Sequence, residues 1–182
     1  MKNWKLVKTK SCFQSIPFDV VEFQFKKPNN GGKMNAYVIQ SPNWVNVIGL
    51  NKRKEVLLIR QFRFGTKKIE LEIPGGIIED GEKPLKAAKR EFEEETGYKS
   101  EDWKQIGMVD ANPAIMNNKC YTFLAKNISA TGKINFDPDE MIELEFCPLK
   151  QVDSLIRNGK ITNTYIIAAF YWLRQFYDQI EE

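Results

Sequence analysis

The sequence predicts an α/β fold: an α/β/α sandwich around a mixed sheet, preceded by a β element of its own. Two patterns carry that expectation. Strand-like runs, some alternating and some continuously apolar, fill most of the chain before residue 130, and one long helical stretch at 84–96 interrupts them. The tail is helical again, so helices flank a run of strands in the order a layered sandwich needs. At 182 residues and 42% hydrophobic content, the chain is large enough for one domain with a good core.

Val21, Phe23 and Phe25 alternate with Glu22, Gln24 and Lys26, so 18–26 reads as a strand with one buried face. Ahead of it, Lys2, Lys5, Lys8 and Lys10 read as a solvated stretch. Pro28-Asn29-Asn30-Gly31-Gly32 is a turn cluster, and a strand at 35–40 completes a hairpin. Residues 1–40 thus form the N-terminal β element and 41–182 the main domain. Within the latter, 44–50 reads as a strand. Val56 to Ile59, inside 55–62, is continuously apolar, as in a strand buried on both faces. At 69–73, Glu70 and Glu72 alternate with Ile69, Leu71 and Ile73, which reads as a half-solvated strand. Further strands are expected at 103–110, 120–126 and 141–146. Leu149 to Asn158 reads as a helix ending at Gly159, and Asn163 or Thr164 caps a last helix from Tyr165 to about Ile180.

The informative stretch is 75–98, GGIIEDGEKPLKAAKREFEEETGY. Pro84 suits the first helical turn, and Gly97 suits the left-handed position just past the end. At about 100° per residue, Leu85, Ala88 and Phe92 share one arc, expected to be buried. Lys86, Lys89 and Glu93 share a solvated arc, while Glu91, Glu94 and Glu95 gather beside the apolar one. Like charges at these spacings cost a few tenths of a kcal/mol each, and Arg90 has only Glu94 as an i+4 partner. A hard divalent cation accounts for three carboxylates at a core edge. Mg²⁺, or Mn²⁺ in its place, takes oxygen ligands and keeps waters that substrate phosphates displace. The glycine-punctuated loop 75–81 would add a backbone carbonyl.

From Gly76, five residues lead to Glu82 and seven more to Arg90, followed by Glu91, Phe92, Glu94, Glu95, Gly97 and Tyr98. This pattern resembles the Nudix box, the signature of hydrolases that split nucleoside diphosphates linked to another moiety. Phe92 and Tyr98 stand where that family prefers aliphatic residues. The resemblance implies an α/β/α sandwich with metal held by Gly75, Glu91, Glu94 and Glu95. It makes Gly76, Glu82, Arg90 and Gly97 structural. Arg60-Gln61-Phe62-Arg63, followed by Glu72-Ile73-Pro74-Gly75, resembles the run-up to the box in ADP-ribose and sugar-nucleotide pyrophosphatases. There Arg60 or Arg63 would clamp the diphosphate, and Glu72 is a candidate site residue. Pro113 stands near the proline marker of the ADP-ribose group, but the usual Pro-Gly pair is absent. Asn117 and Asn118 occupy that vicinity as substrate-binding candidates, so other nucleoside diphosphate sugars stay open. For the general base the same group suggests an acidic loop residue downstream, which selects Glu140 in Asp137-Pro138-Asp139-Glu140, with Glu91 as the box alternative. A homodimer built through the N-terminal strands is likewise implied by the resemblance.

Composition narrows the field further. With no histidine, a Ser-His-Asp triad, a histidine base and a histidine-bound zinc are all excluded. A net charge of +3 is too mild to argue for nucleic acid. Cys12, Cys120 and Cys147 lack metal spacing and are expected to be buried thiols of a reducing compartment. No apolar run suggests a signal peptide or membrane span, so a cytoplasmic protein is expected. The leading function is Mg²⁺-dependent hydrolysis of a nucleoside diphosphate sugar. The alternatives are a nucleoside triphosphate pyrophosphatase and a non-catalytic nucleotide sensor.

Overall fold

The computed structural model describes residues 3–28, 31–131 and 141–181. By its internal contacts the chain divides into two compact units, Met1–Asn43 with Asp110–Lys119, and Trp44–Val109 with Cys120–Glu182.

The smaller unit is a three-stranded antiparallel sheet of β1 (Lys5–Phe13), β2 (Asp19–Lys26) and β3 (Lys33–Gln40) in that order. The lysine-rich start is a strand, and a solvated one. All nine of its residues are exposed, so no buried face marks it in the sequence. Its lysines suit an edge strand, where charge discourages further pairing. The segment 110–119 belongs with this sheet: Ile39 N–H donates to the Ile115 carbonyl at 2.8 Å. The unit thus extends beyond the expected 1–40.

The larger unit holds a seven-stranded sheet. Its main path runs β12 (Ile142–Pro148), β5 (Glu55–Arg63), β4 (Trp44–Leu50), β10 (Lys119–Lys126), β9 (Asp102–Asp110). Two strands lie off this path: β6 (Lys68–Glu72) pairs with β5, and β7 (Gly75–Ile77) with β4. β4 and β10 are parallel whereas β4–β5 and β5–β12 are antiparallel, so the sheet is mixed. A two-stranded ribbon joins β8 (Tyr98–Lys99) to β11 (Ser129–Ala130).

Strand alternation sorts the core into two layers. Ile48, Leu50, Leu58 and Leu124 pack with Ile166, Ala169, Phe170 and Leu173 of α3 (Thr164–Glu181). Val45, Val47, Leu57 and Phe123 pack with Ala87, Ala88 and Phe92 of α1 (Pro84–Thr96). Each fully buried side chain of this size contributes about 1.5–3 kcal/mol of transfer free energy. The expected helix at 149–158 is a 3₁₀ turn, Leu149–Gln151, running into α2 (Val152–Arg157), with Gly159 at φ 66°. The buried face of α1 is rotated from expectation: Leu85 is 41% exposed, while Ala87 and Glu95 are buried. Of the cysteines, Cys120 and Cys147 are buried and Cys12 is exposed.

Candidate active site

α1 sets the geometry. Pro84 opens it, Lys83 gives no side-chain cap, and Gly97 closes it at φ 67° with its N–H on the Glu93 carbonyl. The loop before it is held from the helix by Arg90. Its guanidinium donates to Glu82 at 2.9 and 3.3 Å and to the Ile77 carbonyl at 3.0 Å, and it also reaches Glu91 at 2.9 Å and Glu94 at 3.2 Å. Arg90 therefore offsets more than the single i+4 carboxylate expected, because a planar fork spans several acceptors at once. Bonding to Glu82 pushes the Arg90 pKa up, and the same bond holds the Glu82 carboxyl below the usual range.

Two glycines sit at close approaches, against a movable carboxylate at Gly76 and against backbone, where no side chain fits, at Gly75. A Cβ on Gly76 would lie 2.3 Å from the Glu91 carboxyl carbon, and one on Gly75 would lie 2.3 Å from the Val45 carbonyl oxygen. Gly75 N–H donates to Glu95 at 2.9 Å, which ties the strand before the loop to a carboxylate that is 4% exposed.

These groups line one cavity of about 730 Å³, drawn wholly from the larger unit. Gly75, Gly76, Arg90, Glu91, Glu94 and Glu95 lie along it, as do Arg63 and Glu72. Glu72 is not on a solvated face. It is 2% exposed, takes Arg63 in a two-point pair at 2.7 and 3.3 Å, and accepts from Asn163 at 3.0 Å. The alternation misleads here because Ile69, not Glu72, faces solvent, at 67% exposure.

The remaining candidates lie elsewhere. Arg60 is not part of the lining: its guanidinium pairs with Glu145 of β12 at 2.7 Å. Arg60 and Arg63 are three apart on one strand, so they face opposite sides. Asn117 accepts from the Ser41 N–H at 3.3 Å, and Asn118 donates to the Pro42 carbonyl at 3.1 Å. Both act within the smaller unit as turn fasteners. Glu140 lies outside the described residues.

Sequence reasoning missed Trp44, Asn46, Cys120 and Tyr165, which also line the cavity, and saw Asn163 only as a cap. The Trp44 and Tyr165 rings meet edge to face at 5.4 Å. Asn46 Oδ1 is buried without a hydrogen-bond partner. Burial pushes the Cys120 thiol up to about 12, so it stays protonated and unreactive at neutral pH. A strand sequence alone carries no signal for which of its residues reaches a cavity at the strand end.

Among the described residues, no three acidic, cysteine or histidine side chains stand together ready to hold a metal. Glu91 and Glu94 instead face Arg90, and Glu95 faces the Gly75 amide. The donor set nonetheless suits a hard cation. Three carboxylates border one cavity, and a glycine leaves space against Glu91 that any Cβ would fill.

The NUDIX domain profile matches residues 42–170. The chain belongs to the Nudix family. The Nudix chain is 26% identical to a methanol dehydrogenase activator of Bacillus methanolicus and 26% identical to an ADP-ribose pyrophosphatase of Bacillus subtilis. Each comparison spans 171 residues, 93% of this chain and 92% of the relative. A crystal structure of an ADP compounds hydrolase superposes with a TM-score of 0.87 at 19% identity, covering 98% of this chain and 96% of that one, which establishes the shared fold.

Proposed function

We propose that this Nudix chain hydrolyses the diphosphate bond of an ADP-linked sugar, ADP-ribose or a close analogue, to AMP and a sugar phosphate. One observation carries the reading: the box carboxylates and the Arg63 guanidinium border a single cavity of about 730 Å³, joining cation-binding and phosphate-binding chemistry. The likeness to an ADP-ribose pyrophosphatase over 93% of the chain supports the ADP half.

In this reading Gly75, Glu91, Glu94 and Glu95 hold a divalent cation, magnesium by preference, which supplies charge neutralisation and a more acidic water when bound. Arg63 takes diphosphate oxygens, since a guanidinium fork matches phosphate geometry. Glu72 keeps that fork oriented. Water attacks phosphorus, the bridging P–O bond breaks, and the water's proton passes to a carboxylate. Glu140 is our choice for that base and Glu91 the alternative. Arg90 and Glu82 hold the loop to the helix.

The active form in this reading is a homodimer through β1–β3, located in the cytoplasm, where the three unbridged thiols belong. Among the described residues no helix is long and apolar enough to cross a membrane. The test is a substrate panel with Mg²⁺: ADP-ribose, GDP-mannose, UDP-glucose and nucleoside triphosphates, with products resolved. Preferential release of AMP from ADP-ribose supports the proposal, and turnover confined to triphosphates rejects it.

A further inference from the structure

Glu72 is a carboxylate with a side chain only 3% exposed, so its charge must be met by partners within the fold. Arg63 meets one side, with Nη2 on Oε2 at 2.7 Å and Nε on Oε1 at 3.3 Å. Asn163 Nδ2 donates to Oε1 at 3.0 Å. This asparagine is held from its other end. Its Oδ1 accepts the Tyr165 N–H at 2.9 Å, and its carbonyl accepts from Ile166 and Ile167, which makes it the N-cap of α3. The amide orientation follows from chemistry. Turned over, it would set an NH₂ against the Tyr165 N–H and an oxygen against the Glu72 carboxylate.

A rigid relay results, from the first turn of α3 through Asn163 to Glu72 and on to Arg63. All three side chains border the cavity. A cap needs only an oxygen, which aspartate or serine supplies equally well. The donated Nδ2 hydrogen bond is therefore surplus to the helix.

We propose that Asn163 is a positioning residue for substrate, fixing the Glu72 carboxylate that aims Arg63 into the cavity. The inference rests on Arg63 binding the diphosphate. Its mark is a loss carried in KM and not in kcat, because Arg63 acts through binding and the box carboxylates are untouched.

The test uses the full chain with Mg²⁺ and ADP-ribose. Asn163→Ser keeps the cap and removes the donor. Asn163→Asp keeps the cap and turns an acceptor toward Glu72. Both should raise KM, Asn163→Ser about tenfold, as expected for a lost hydrogen bond to a charged group, and Asn163→Asp more. The kcat should stay near wild type. The melting midpoint should fall somewhat, most for Asn163→Asp, because the buried Glu72 carboxylate loses a donor; the kinetics are read well below that midpoint. In an Arg63→Ala background, which alone raises KM, Asn163→Ser should raise it no further, since the relay then has no end. Unchanged KM in both single variants, or full additivity with Arg63→Ala, overturns the relay while leaving Arg63 in its role. An Arg63→Ala enzyme with wild-type KM overturns the reading of Arg63 and the relay with it.

Discussion

The stretch from Gly75 to Gly97 and the sheet of β1–β3 solve opposite problems. In the first, nearly every polar group is answered nearby. Arg90 serves four acceptors, Glu95 answers the Gly75 amide, and Thr96 donates back to the Phe92 carbonyl. Its apolar side, Ala87, Ala88 and Phe92, is wholly buried. In the second, β2 pairs along its length with β3 and, across two register shifts, with β1, but burial is thin, with Val21 its one core residue among those described. Leu6, Phe25 and Met34 form a row straight across the three strands, and Leu6 and Met34 remain 47% and 45% exposed. The loop and helix carry their chemistry within themselves. The sheet leaves that apolar row partly exposed, and it is the face assigned to the proposed homodimer.

The sharpest way to break the contrast is at Glu95. Glu95→Gln keeps an oxygen for the Gly75 N–H, so the fold should stand. Losing a charge of the proposed cation site should lower kcat by about 10³-fold, the scale of a lost electrostatic stabiliser. Steady-state kinetics beside thermal melting in chelator checks both halves, and near-normal turnover would remove Glu95 from the ligand set. Glu140→Gln should lower kcat by roughly 10²- to 10⁴-fold, the usual worth of a positioned base, with substrate binding largely kept. Retention of more than about a tenth of kcat moves the role to Glu91.

The other side of the contrast is tested at the row of apolar residues. Leu6→Asp with Met34→Asp should convert a species of about twice 21.2 kDa into a monomer by sedimentation, and lower activity with it. An unmodified chain that already sediments at 21.2 kDa with full activity would refute the dimer. A smaller, purely structural effect is expected at Gly49, where a Cβ would sit 2.6 Å from the Phe92 ring. Gly49→Ala should cost about 1–3 kcal/mol through overpacking, read by denaturant unfolding.

The same contrast explains what could be read from the sequence. The sandwich was legible because strands buried on both faces leave continuous apolar runs, as at Val56–Ile59, and because α1 carries both end signals. The box carboxylates were legible as like charges with no local reason to be together. Elsewhere, partners came from afar. Glu72 looked solvated because the residues that bury it, Arg63 and Asn163, are 9 and 91 positions away. Asn163 showed only its local role as a cap. β1 was invisible because pairing with β2, not side-chain pattern, makes it a strand. Leu85 was misassigned because helical periodicity fixes an arc but not which way the sheet lies.

The smallest effect should come from Glu82, whose part is to hold Arg90. Its side chain is 3% exposed, and bonding to Arg90 keeps its folded pKa below that of an ordinary carboxyl. A depressed folded pKa means the ion pair adds stability above the unfolded value, about 4.3 for glutamate, and loses it as pH falls through the folded value. Glu82→Gln preserves shape and one acceptor while deleting the charge. Its melting midpoint should therefore lie about 2–4 °C below wild type at neutral pH, with the gap constant down to about pH 5. As pH falls from the unfolded value toward the lower folded one the two curves should converge, because the wild-type carboxyl then takes up its proton as well. A gap that persists unchanged to pH 3 would mean that packing, and not the charge on Glu82, anchors the loop to α1.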